Sequence, residues 1–173
     1  VTDGDRFADS ARRLVLLRHA KSDYPDVPDH ERPLAKRGRK DAPRVGRWLA
    51  ASGYAPDAVV CSTAVRARQT WELLAPALAA PVVRYEPRVY EASVLGLLML
   101  VREFDPEWGT VLLIGHNPGM AELTAGLADP PPDPPAEFPT AAVAVLELRG
   151  AWPDVAPAGA RLLAFAVPAR LRG

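Results

Sequence analysis

The chain has 173 residues, 49% of them hydrophobic, which is enough for one well-buried core and short for two. Lysine plus arginine and aspartate plus glutamate each number 21, so no net field draws the protein to nucleic acid or to an anionic membrane. Cys61 is the single cysteine, which excludes an intramolecular disulfide and the paired cysteine ligands of a structural zinc site, and fits a reducing compartment.

Residues 1–10 are polar and acidic, unlike a signal peptide, and no run of about 18 apolar residues marks a membrane span. Residues 1–11 are therefore read as a flexible tail and residues 12–173 as a single domain of a cytoplasmic protein. A monomer without nucleic-acid or membrane partners is expected.

Short apolar runs alternate with longer helical patterns, the sequence form of an α/β fold with a mostly parallel central sheet. The first strand is predicted over Arg13–Leu17, followed by a helical pattern over Lys36–Ser52. Pro43 and Gly46 lie inside that pattern, which places the helix start at or near Pro43, where a proline fits the first turn. A strand over Ala58–Cys61 precedes a helix over Ala64–Leu78, marked by Val65, Trp71, Leu74 and Leu78 on one side. Next come a strand over Val82–Arg84, a helix over Ser93–Phe104, a strand over Thr110–Ile114 and a helix over Pro118–Ala128. All the strands are apolar enough for burial on both faces. The segment from Asp129 to Pro139 holds six prolines and is read as a loop with polyproline II character. Strands over Ala142–Leu148 and Leu162–Val167, joined by the turn-rich stretch Trp152–Ala160, close the chain as an antiparallel pair.

Chemistry gathers at three strand ends. Arg18, His19, Ala20, Lys21 and Ser22 follow the first strand, where open α/β sheets bind ligands. His116 and Asn117 follow the fourth, so two of the three histidines share an equivalent place. Ser62 and Thr63 open the helix after Cys61, with Arg66 in its first turn or so, a setting that attracts anions through free N–H groups and a two-pronged guanidinium. Alternatively Ser62 or Thr63 caps that helix while Arg66 and Arg68 are solvated. Asn117 either contacts substrate or orients His116, or serves as a turn device before Pro118. Asp29, His30 and Arg32 lie on a loop that could meet the substrate, with solvated loop positions the preferred reading of each.

A neutral imidazole can attack phosphorus where its protonation is suppressed, and Arg18 and Arg66 disfavour a further positive charge beside His19. Two guanidiniums plus His116 can offset the charge on three equatorial oxygens without a metal. The general acid is less evident. Glu91, after the third strand, either protonates a leaving group or sits in the first turn of a helix against its dipole.

Arg18-His19-Ala, Ser62-Thr-Ala-Val-Arg66-Ala and Gly115-His116-Asn-Pro-Gly, in this order and spacing, resemble the histidine phosphatase superfamily over about Arg13 to Val167. Arg18-His19-Ala20-Lys21-Ser22, and Arg32-Pro33-Leu34 before Arg37-Gly38, look like its SixA-like branch. The resemblance implies a three-layer α/β/α sandwich of the phosphoglycerate mutase-like kind, with no cofactor. It implies a phosphohistidine intermediate at His19 and a phosphate pocket of Arg18, Arg66 and His116, with Lys21, Ser22 and Asn117 as substrate-binding candidates. The expected substrate is phosphohistidine on a protein, the alternatives being a small phosphoester or a non-catalytic phospho-ligand module. SixA-like members often lack the larger families' acid, which bears on Glu91. A mutase is disfavoured by the lack of substrate-enclosing insertions. A cysteine phosphatase fails on spacing, since a C-x5-R loop from Cys61 reaches Ala67. No glycine-rich nucleotide-binding motif occurs.

Overall fold

A computed structural model describes residues 11–79, 81–132 and 137–171. The expected tail, apart from Ala11, and part of the proline-rich loop lie outside them. Six strands form one sheet: β1 (Arg12–Arg18), β2 (Ala58–Cys61), β3 (Val82–Tyr85), β4 (Thr110–Gly115), β5 (Val143–Leu148) and β6 (Ala160–Ala166). Their order is β3-β2-β4-β1-β5-β6. The pairs β2–β3, β2–β4 and β1–β4 are parallel, whereas β1–β5 and β5–β6 are antiparallel. The four helices are α1 (Lys36–Ala51), α2 (Val65–Leu74), α3 (Val94–Arg102) and α4 (Gly119–Leu127).

The side-chain alternation of the strands divides the core into two layers. Val15, Leu17, Val59, Cys61, Leu112 and Ile114 point to one face and pack with Val45 and Leu49 of α1 and Trp71 and Leu74 of α2. Leu14, Leu16, Val60, Val111 and Leu113 point to the other and meet Leu97, Leu100 and Val101 of α3 and Leu123 and Leu127 of α4. The result is the expected three-layer α/β/α sandwich with a mostly parallel sheet.

Three expectations are corrected. Helix α1 starts at Lys36 and carries Pro43 in its interior, because Gly38 docks on the backbone of Lys21 and Ala42 and Val45 are buried on either side of the proline. Tertiary packing there outweighs the missing N–H. Helix α2 stops at Leu74 and tightens into a 3-10 turn over Ala75–Ala77, since Pro76 cannot donate to the α-helical ladder. Strands β3 and β6 are not buried on both faces; they are the two sheet edges, with Val82 of β3 58% exposed and most of β6 partly exposed.

Gly46 of α1 lies close against the backbone of α2, and a Cβ there would stand 2.8 Å from the Leu74 carbonyl oxygen. Alanine is the better helix former by about 1 kcal/mol, but overpacking against backbone costs about 1–3 kcal/mol. Gly46→Ala is expected to lower the urea midpoint without changing the slope; an unchanged or raised midpoint would show that the helices can separate freely.

Candidate active site

β1 and β4 pair in parallel with Arg18 opposite Gly115, so the next residue of each chain segment, His19 and His116, stands side by side at the carboxyl edge of the sheet. Their ring centroids are 5.1 Å apart, and the His19 N–H donates to the Gly115 carbonyl at 3.0 Å. On the far side of β4, Cys61 of β2 faces Ile114, and the Ser62 N–H donates to the Ile114 carbonyl at 3.0 Å. This brings Ser62 and the start of α2 beside His116. The chain leaves β1 toward β2 and leaves β4 toward β5, in opposite directions, which opens a crevice between the two strand ends.

His19 is buried at 7% exposure, and its Nδ1 stands 2.8 Å from the Ala20 carbonyl oxygen. A carbonyl only accepts, so Nδ1 carries the ring proton and Nε2 the lone pair. The Arg66 Nε–H, 3.3 Å from Nε2, completes the assignment as its donor. Thr70 of α2 holds this arrangement from behind, its Oγ1 accepting from the Ala20 N–H at 3.0 Å while its hydroxyl donates to the Arg66 carbonyl at 2.7 Å. Burial lowers the His19 pKa to about 3 against the Ala20 hydrogen bond, with smaller contributions from His116, Arg66 and Arg18. Desolvation, rather than the two arginines, is thus the main cause of its neutrality.

His116 is neutral for the same reason, burial lowering its pKa to about 4, assisted by Arg66. Its Nε2 lies 2.7 Å from Ser62 Oγ, which also accepts from the Ala64 N–H at 3.3 Å. Either group can donate in that contact, because the Ser62 oxygen has two lone pairs, while His116 Nδ1 is buried and without a partner among the described residues. Ser62 is therefore no cap of α2, whose N-cap is Ala64.

Arg66 is buried at 7% exposure rather than solvated, while Arg68 is exposed. Its Nη1 donates to the Asp29 carbonyl at 2.7 Å and its Nη2 to Asp29 Oδ2 at 3.1 Å. The same Oδ2 accepts from the Tyr90 hydroxyl at 2.6 Å, and Oδ1 accepts from Arg32 at 2.8 Å. These bonds, the Tyr90 hydroxyl foremost, hold the Asp29 carboxyl well below the usual carboxylate range. Arg32 also donates to Ser22 Oγ at 2.7 Å, and His30 Nε2 lies 2.8 Å from Thr63 Oγ1. The loop positions Asp29, His30 and Arg32 all make side-chain bonds, with Asp29 still exposed as expected and His30 and Arg32 partly buried. Periodicity carries no signal for such contacts across more than thirty residues.

Seven of the eight predicted site residues, Arg18, His19, Lys21, Ser22, Arg66, His116 and Asn117, line one cleft of about 200 Å³. Tyr24, Arg32 and Thr140 also line it, Arg32 from the loop that could meet the substrate and Tyr24 and Thr140 unanticipated. Arg18 donates to the Phe138 carbonyl at 3.0 Å. Asn117 does likewise at 2.7 Å and accepts from the Ala121 N–H, so its amide fixes the turn into α4 and makes no bond to His116. Glu91 does not line the cleft. It is exposed at a positive φ of 57°, ahead of Ser93, which caps α3 by accepting from the Gly96 N–H. Neither the first turn of α3 nor the cleft contains it; its neighbour Tyr90 reaches the site instead, its ring centroid 5.6 Å from that of His116. Cys61 is a buried strand residue whose thiol pKa is pushed up by burial. Among the described residues no group of three or more His, Cys, Asp or Glu could hold a metal ion.

Both depressed imidazoles couple the site to stability. Unfolded histidines bind a proton below about pH 6.5 while His19 and His116 in the folded chain do not, so stability is full above that value and falls as the pH drops toward 4. Each contributes about 1.4 kcal/mol per pH unit in that window. His19→Gln is expected to flatten the pH dependence of urea unfolding between pH 4 and 6.5 relative to the unsubstituted protein; parallel curves would mean that His19 is solvated.

The family profile of the histidine phosphatase superfamily (branch 1) matches residues 14–97. An uncharacterised protein of Mycobacterium tuberculosis is 42% identical over 160 residues, spanning 88% of this chain and 99% of the relative. A Nakamurella multipartitia protein assigned as phosphohistidine phosphatase SixA superposes with a TM-score of 0.84 at 35% identity, over 93% of this chain and 98% of that one. Its Agrobacterium tumefaciens counterpart, also assigned as SixA, gives 0.75 at 32% identity, over 91% and 98%. With paired histidines and two arginines at the matching strand ends, the chain belongs to the histidine phosphatase superfamily, among its SixA-like members.

Proposed function

We propose that the chain is a metal-independent phosphatase that takes the phosphoryl group of a protein phosphohistidine onto His19 Nε2 and passes it to water. Family membership supports phosphatase activity; the observation that carries the finer reading is the His19 ring, fixed with Nε2 unprotonated in a cleft of about 200 Å³. A cleft of that size is below the usual range for small-ligand pockets, so it accepts a phosphoryl group and leaves the group attached to it outside.

Arg66 has five N–H donors, of which Nε and one on each Nη are engaged with His19 and Asp29, so two remain for phosphoryl oxygens. Arg18 supplies further donors, and His116 lines the cleft beside it. In the first step the His19 Nε2–P bond forms as the donor's N–P bond breaks, and the departing imidazole takes a proton from solvent. In the second, water attacks phosphorus, the Nε2–P bond breaks with its electron pair returning to Nε2, phosphate leaves with the oxygen and one proton of that water, and the other proton goes to solvent. Guanidiniums fixed before the reaction stabilise the equatorial charge without reorganising. An imidazole leaving group requires no strong acid, which suits a cleft that Glu91 does not line.

Intact-protein mass spectrometry in the presence of chelator, with phosphoramidate as donor, tests the nucleophile. A transient, acid-labile adduct of one phosphate is expected on the unsubstituted protein and none on His19→Ala, which keeps its fold because the imidazole adds little to the core. Phosphate release retained by a folded His19→Ala would overturn the mechanism, and no adduct or release from any donor would favour the phospho-ligand module. Glu91→Gln is expected to leave phosphohistidine turnover within about twofold; a loss of about a hundredfold on a phosphomonoester would restore Glu91 as the acid for that class.

A further inference from the structure

Charge is spread unevenly over a chain whose formal charges cancel. Helix α1 holds six cations, Lys36, Arg37, Arg39, Lys40, Arg44 and Arg47, against one carboxylate, Asp41. Four of them, Lys36, Arg37, Arg39 and Lys40, are exposed and crowd the start of the helix, where free N–H groups already place positive charge and where no acidic residue stands. Asp41, buried at 6% exposure, pairs with Arg37 at 3.3 Å and Arg44 at 3.6 Å. Lys36 and Lys40 have no bonded partner among the described residues. This crowding destabilises the helix and contributes nothing to the core.

The cations border a groove of about 610 Å³ between α1 and the 3-10 turn Pro168–Arg170, lined by Lys36, Arg37, Lys40, Asp41, Arg44 and Ala169. The start of α1 packs on a segment that lines the catalytic cleft. The Ala35 N–H donates to the Lys21 carbonyl at 2.8 Å, Gly38 lets the helix sit on the Lys21 backbone, and the Lys21 side chain lines the cleft.

We infer that this groove docks an acidic surface of the protein whose phosphohistidine enters the cleft, an inference that rests on the substrate class proposed above. A small phosphoester held at His19 would not reach α1. A nucleic acid needs a long track of cations, whereas these end with one helix on a neutral chain. Charges beside an active site steer encounter and set register, so they act on selection of the partner rather than on the chemical step.

Two short synthetic peptides with the same central histidine, one flanked by Asp and Glu and one by Lys and Arg, test this. Fluorescence anisotropy reads binding of the unphosphorylated peptides, and phosphate release reads turnover of the phosphorylated ones. The unsubstituted protein is expected to favour the acidic peptide in both by about tenfold at low salt, with the ratio falling toward one at high salt. Lys36→Glu combined with Lys40→Glu should reverse the preference, and an acidic first turn suits the helix dipole, so the fold is retained. Because each protein is read as a ratio between two peptides, a general loss of activity cancels. Equal binding of the two peptides by the unsubstituted protein, tighter binding of a DNA oligonucleotide than of the acidic peptide, or an unchanged preference in the variant would overturn the docking surface. Acidic preference in binding with phosphate released from phosphoramidate but from neither peptide would sustain the docking surface and overturn the phosphohistidine reading instead.

Discussion

The parallel pairing of β1 with β4 is the constraint on which the site depends. Arg18 opposite Gly115 means that the two chains leave the sheet at the same level, and the His19 N–H bond to the Gly115 carbonyl extends the ladder by one step. A slip of one residue would turn Leu14 and Leu16 to the opposite helical layer and expose them to mismatched partners, so the apolar alternation that fills the core also sets the histidines side by side. Fold stability and site geometry are one register.

Given that placement, the electrostatics follow from burial. Taking two imidazoles out of water keeps both uncharged, and an uncharged pair can stand near two guanidiniums without adding to their repulsion. The arginines are then free to meet an anion, with the Asp29 carboxylate offsetting part of the charge on Arg66. Donors already fixed in the cleft have little to reorganise when an anion arrives.

Most of the layered fold follows from apolar patterning, because strand and helix periods differ and the strand ends are punctuated by polar residues. Where patterning failed, a specific contact overrode it. Gly38 against Lys21 carries α1 past Pro43; Pro76 ends α2 early; β3 lies at an edge that composition cannot distinguish from an interior strand. The paired histidines and Arg66 were evident from their place after strands. Tyr24, Tyr90, Asp29 and Thr140 were not, since loops and a turn bring them in from separate parts of the chain, and no periodic pattern encodes where a loop lands. Glu91 shows the reverse: proximity in sequence to the third strand end did not bring it to the cleft, because Tyr90 takes the inward position.

Asp29 binds Arg66 through both its carbonyl and its carboxylate while belonging to the loop that rims the cleft. The rim and the Arg66 guanidinium are thus mechanically one part. In many α/β enzymes the rim can diverge while the chemistry stays constant; here any new loop must still present an acceptor pair to Arg66. The exposed stretch between Asp23 and Val27 makes no contact with Arg66 and can vary without touching it, whereas swapping the whole loop for a foreign one would loosen the guanidinium together with the rim.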